Sequence, residues 1–152
     1  MAIDIDRFKV AELHAGATTD GANQACTTVD VGTARRAILI INCTPQSGSD
    51  VSDVRVYTDA SDSTVTHSNT QCTLSGGYYY TDAAPTTKHD LTISSNSFTG
   101  CGSNATYIVQ VEGIQRYVNV VYDGRGTTTE FTAVLLAYDF VDSPFATATS
   151  AY

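Results

Sequence analysis

Three consecutive tyrosines, Tyr78, Tyr79 and Tyr80, follow Gly76 and Gly77 and are the residues of this chain best suited to binding. Neighbouring residues of a strand point to opposite faces, so Tyr79 cannot share a face with both Tyr78 and Tyr80. Tyrosine suits both a sugar platform and a protein contact; the plainer reading is a strand with two tyrosines packed on one side. The other chemistry-bearing residues are scattered. The three histidines, His14, His67 and His89, stand in unrelated polar contexts without H-x-H or H-E-x-x-H spacing. No G-x-S-x-G elbow is present for a serine nucleophile. A glycosidase needs two placed carboxylates, and Glu112 and Glu130 are the only glutamates expected on strands. Glu112 is expected to point off the sheet, solvated or paired beside Arg116. Asp50, Asp53, Asp59 and Asp62 offer oxygen ligands for calcium, but their spacing matches no EF-hand and such loops are usually solvated turns. Gly124 and Gly126 precede no helix, so they cradle no phosphate. No catalytic residue, cofactor or metal is expected.

The four cysteines, Cys26, Cys43, Cys72 and Cys101, are widely spaced and form no C-x-x-C pair, which argues against zinc. Four cysteines allow three pairings, and the sequence does not choose among them. Cys43 ends an apolar run and reads as a small buried hydrophobe. Cys72 and Cys101 lie in polar, loop-like surroundings and would be the pair to join in an oxidising medium, although cytosolic synthesis disfavours it.

The elements that must position these residues are strands. The stretch 116–138 reads as two strands around the turn residues Asp123, Gly124, Arg125 and Gly126, a hairpin in which glycine reaches positive φ. Both strands are apolar on both faces. In the first, Tyr117 and Val121 oppose Val118, Val120 and Tyr122. In the second, Phe131, Ala133, Leu135 and Ala137 oppose Val134, Leu136 and Tyr138. One face belongs to a core, and the other needs a loop, an arm or another subunit. Residues 36–43 form a further double-faced strand, and in residues 51–58 Val54 and Val56 face in while Arg55 and Tyr57 face out. Residues 1–24 read as an arm or leading strand, with a short helical turn near residues 6–13 and a flexible polar connection behind it. Residues 59–102 are rich in Ser, Thr, Asn, Asp and Gly and read as surface loops and edge strands. Residues 140–152 form a tail with Pro144, Phe145 and Tyr152 as apolar anchors.

With 152 residues the chain makes one domain, large enough for a core without metal or disulfide. Roughly eight short strands without helices between them predict an all-β, antiparallel β-sandwich over residues 25–139, of the jelly-roll kind, with extended N- and C-terminal arms. A net charge of −8 with eight basic residues excludes nucleic acid as a partner, and an anionic membrane surface for the same reason. No segment approaches the ~20 apolar residues of a membrane span. The N-terminus has acids where a signal peptide has a basic region, so synthesis in a cytosol without export is expected. The sequons at Asn42 and Asn104 then read as chance matches.

The run from Arg116-Tyr117-Val118 through the Gly-Thr turn to Phe131-Thr132-Ala133-Val134-Leu135-Leu136 resembles the C-terminal hairpin of jelly-roll head-decoration (cement) proteins of tailed bacteriophages. Thr28-Val29-Asp30-Val31-Gly32 and Ala37-Ile38-Leu39-Ile40 are similar to their leading strands. The resemblance covers about half the chain and leaves residues 59–102 unmatched. It implies a virion protein on the capsid exterior, often a homotrimer, that binds the major capsid protein and ties neighbouring capsomers together. Interface candidates under that reading are Tyr78, Tyr79, Tyr80, Tyr122, Tyr138, Phe140, Phe145 and Tyr152, with main-chain pairing by arms. Alternatives are another virion β-protein, such as a tail or head-fibre component, and a carbohydrate-binding jelly roll using residues 78–80 and loop acids.

Overall fold

A computed structural model describes residues 8–18, 20–45, 50–100, 103–126 and 129–141. Phe145 and Tyr152 lie outside the described residues. The strands are β1 (Lys9–Ala17), β2 (Gly21–Ala25), β3 (Val29–Asp30), β4 (Ala34–Thr44), β5 (Asp50–Asp59), β6 (Thr70–Gln71), β7 (Thr73–Thr81), β8 (Ala84–Asp90), β9 (Phe98–Gly100), β10 (Ala105–Glu112), β11 (Tyr117–Arg125) and β12 (Glu130–Phe140). The first sheet runs β1-β12-β4-β10-β7-β8; the second runs β2-β11-β5-β6, with β3 on β11 and β9 on β5. All these pairings are antiparallel. No helix occurs among the described residues, and none is long and apolar enough to cross a membrane.

The period-2 pattern decides which side of each strand is buried. From the first sheet, Ala37, Leu39 and Ile41 of β4, Tyr107, Val109 and Val111 of β10, and Phe131, Ala133 and Leu135 of β12 enter one contiguous core. From the second come Val51, Val54 and Val56 of β5 and Val118, Val120 and Tyr122 of β11. Two antiparallel sheets packed on a shared apolar layer make a β-sandwich, as expected. This strand order does not by itself define a jelly roll.

Several local expectations are corrected. The stretch 116–138 is not a hairpin: β11 pairs with β2, β3 and β5, whereas β12 pairs with β1 and β4. The chain crosses from one sheet to the other between them, so the segments carrying the resemblance lie on opposite layers. Glycine turn chemistry suits a hairpin and a sheet-to-sheet crossing alike. Residues 9–13, placed in a helical turn, are the start of β1, because β12 offers Val134–Ala137 register partners to Lys9–Glu12. The polar connection behind them contains β2, fastened to β11 at Ala25↔Val121 and Gln24↔Tyr122. In the middle third, β7 is not an edge strand but lies between β10 and β8. Cys72 is free and buried, which rules out a bond to Cys101; Cys43 is buried as expected but disulfide-bonded. Cys26 is free as well, and Cys101 lies outside the described residues.

Candidate functional site

Register places four cross-strand partners in one outward row of the first sheet: Val134 opposite Ile40, Ile40 opposite Ile108, and Ile108 opposite Tyr78. Beside it, Leu136 faces Ile38 and also Val10, which is 65% exposed. Tyr80 lies on the same side, its ring edge-on to Tyr78 at 5.7 Å, and Lys88 Nζ sits 4.7 Å over the Tyr78 ring. Tyr138 continues the face beyond Leu136 and packs on Phe8 at 6.1 Å. All but Val10 remain partly exposed. The outcome is a five-strand apolar surface bordered by Glu12 at the β1 end and Lys88 at the β8 end. A face of this kind is built for contact with another apolar surface.

The outer face of the second sheet has a different fate. Its apolar residues Tyr57, Val121 and Tyr117 form a small separate cluster with Val65 from the 60–69 loop. Asn119, only 2% exposed, fastens that loop down. Its Nδ2 donates to the carbonyls of Cys26 (2.9 Å) and Val65 (2.8 Å) and to Thr28 Oγ1 (3.2 Å). Thr28 Oγ1 in turn accepts from the Val65 amide at 3.0 Å. Asp59 shapes the loop's entry: its Oδ1 accepts the amides of Ser61 and Asp62, both at 2.8 Å, and its Oδ2 accepts Asn69 Nδ2 at 3.1 Å. These bonds hold the Asp59 carboxyl down to about pKa 2. Among the described residues no group of three His, Cys, Asp or Glu side chains could hold a metal ion.

A cleft of about 450 Å³ opens at the β7–β8 side of the sandwich. Its aromatic lining is a ladder. Tyr79 stacks on His89 at 5.0 Å and on Tyr107 at 5.3 Å, and Phe98 leans on Tyr107 at 5.9 Å. The ladder arises from register, since Tyr107, Tyr79 and His89 are successive cross-strand partners on the core side. Leu91, a further lining residue, tucks against Gly77, with its amide donating to the Gly77 carbonyl at 3.0 Å. A Cβ at Gly77 would stand 3.1 Å from Leu91 Cδ2 and 3.0 Å from the Ile108 carbonyl oxygen, so glycine permits this approach.

The interface candidates therefore separate. Tyr78, Tyr80 and Tyr138 face outward on the first sheet. Tyr79 lies on the opposite side from both neighbours, as alternation within the triplet required, and packs against the core. Tyr122 is corrected: it is 2% exposed, packed on Phe131 at 5.2 Å and near His14 at 6.3 Å. Alternation assigns it a face but not which face is inside. Phe140, partly buried, packs against the core opposite buried Ala34, behind a left-handed Asp139 at φ 58°. Arg116 pairs with Asp30 at 3.0 Å rather than with Glu112, which depresses the Asp30 carboxyl. Sequence reading passed over Asn119, whose signal was a lone amide inside a valine run. It also passed over the cleft, whose walls come from segments distant in sequence. Comparisons with protein-family models, with curated proteins and with solved structures find no match.

Proposed function

We propose that this chain is a structural virion protein that decorates the outside of a phage capsid. On this reading it assembles as a homotrimer, binds the major capsid protein and bridges neighbouring capsomers. The observation that supports it is the outward face of the first sheet, where Ile38, Ile40, Ile108, Val134, Leu136, Tyr78 and Tyr138 lie side by side across adjacent strands. Aromatic and aliphatic anchors on a rigid sheet suit an interface better than chemistry. A standard interface buries roughly 1,600 Å² in total, and this face supplies its apolar centre with Glu12, Arg36 and Lys88 as a polar rim. The net charge of −8 fits a component kept off the packaged genome. The Cys43 disulfide fits a particle that acts outside a reducing cytosol after synthesis within the host cytoplasm.

Native mass spectrometry at neutral pH tests the assembly. A trimer is expected, with Ile40→Asp yielding a monomer of unchanged near-ultraviolet dichroism, since the side chain points away from the core. A wild-type protein that stays monomeric at high concentration, or an Ile40→Asp variant that still forms the trimer, would overturn this assignment of the face.

A further inference from the structure

We propose that the cleft beside β7 and β8 binds a neutral saccharide, a property independent of how the chain assembles. At about 450 Å³ the cleft falls within the range of small-molecule sites, about 300–1,000 Å³. Tyr79, Leu91 and the margins of the nearly buried Tyr107 and Phe98 give its lining an apolar part. The lining is also rich in hydroxyls, with Thr92, Ser94, Thr99 and Ser103 among its residues. These four side chains make no hydrogen bond among the described residues, so their hydroxyls are free to exchange water for a ligand. Among the described residues no lysine or arginine lines the cleft and the charged lining residue is the acid Asp90, which disfavours phosphate, sulfate and carboxylate ligands. Apolar and aromatic margins beside several hydroxyls and one carboxylate acceptor, Asp90, match a sugar, whose C–H groups and hydroxyl donors have the same division.

The cleft is also preorganised. Both sides of the Tyr79 ring are stacked, so it has no room to swing. At the rim, Ser94 and Ser97 bridge each other around Ser95 and Asn96, which both take left-handed φ, 52° and 57°. This is the pattern of a type I′ turn built without glycine, a conformation that persists only where its surroundings hold it. Gln71 supplies that hold, its Nε2 donating to the Asn96 carbonyl at 3.1 Å. Rigid walls lower the ordering cost that makes sugar binding weak.

The test is protein-observed amide NMR on the isotope-labelled full chain titrated with glucose, galactose, N-acetylglucosamine, maltose and lactose, with inorganic phosphate as the anion control. At least one sugar is expected to bind in the millimolar range, perturbing the amides of residues 91–99, while phosphate does not. Thr99→Trp, an exposed position on β9, fills the cleft and is expected to abolish binding while the native mass stays unchanged. Failure of every sugar to bind the wild type overturns the proposal. Binding that survives Thr99→Trp places the ligand elsewhere and overturns it equally, and phosphate competing with sugar overturns the assigned ligand class.

Discussion

Asn119 is the residue whose replacement should reveal most about how the fold is held. Its amide nitrogen is the donor for two carbonyls, Cys26 and Val65, that belong to segments far apart in sequence. Truncation to alanine strips both of that donor. Leaving a buried carbonyl unpaired costs about 1–3 kcal/mol. The Val65 carbonyl keeps a long contact from Thr28 Oγ1 at 3.5 Å, so its share falls at the low end. One gain offsets the loss: Asn119 Oδ1 is itself buried without a partner, and alanine removes it. The balance is about 2–3 kcal/mol of destabilisation. For a chain of this size that lowers the melting temperature by about 4–12 °C. Asn119→Asp keeps the shape but loses the donors and turns a carboxylate toward the same carbonyls, so it should cost more than alanine at neutral pH. Urea unfolding followed by tyrosine fluorescence measures both, and amide exchange at Val65 should accelerate in each before global unfolding does. An alanine variant within about 0.5 kcal/mol of wild type would refute the reasoning. So would an aspartate variant more stable than the alanine one.

Three further outcomes follow from the same geometry. Gly77→Ala forces a Cβ between Leu91 Cδ2 and the Ile108 carbonyl and should destabilise by about 1–3 kcal/mol, the usual cost of overpacking, with Leu91 displaced in the variant's NMR spectrum. Asp59 titrates at about 2 when folded, below its ordinary 3.8, so the stability it lends is complete above about pH 4 and is lost as pH falls toward 2. Amide exchange at Ser61 and Asp62, whose amides donate to Asp59 Oδ1, should therefore rise through that window, and Asp59→Asn should flatten the dependence. Burial pushes the Cys26 and Cys72 thiols up to about 12, so a disulfide reagent at pH 8 should find both silent in the native protein and reactive once denatured. Rapid labelling of Cys72 in the native state would contradict its buried position.

What the sequence disclosed depended on how local the determinant was. The all-β character, the inward Val54 and Val56, and the split of Tyr78 and Tyr80 from Tyr79 follow from a period of two, which any short window contains. Partner choice does not. The turn at 123–126 suits a hairpin or a crossing between layers, and only the packing of Val118, Val120 and Tyr122 against the first sheet decides that β11 and β12 separate. Alternation likewise gave Tyr122 a face without saying that the face was interior. The 60–69 loop was unreadable as a cover because its apolar contribution is the single residue Val65. The rest of its attachment is polar: an amide in a valine run, a threonine hydroxyl and an aspartate turn.

The two outer faces show why the unmet need for cover, visible in the sequence, has two different answers. On the second sheet the need is small, since only Tyr57, Tyr117 and Val121 require shielding, and one loop residue anchored by Asn119 supplies it. On the first sheet the apolar residues span β1, β12, β4, β10 and β7, a breadth that one loop of this polarity does not match. Hydrophobic burial scales with area, so the broad face is where association with another surface gains most. A mutation there should change assembly and leave folding nearly intact, whereas a mutation at Asn119 should do the reverse. Measuring Ile40→Asp and Asn119→Ala side by side, by native mass and by urea midpoint, separates the two roles. If Ile40→Asp unfolds the monomer or Asn119→Ala breaks the assembly without lowering the midpoint, the division of labour between the faces is wrong.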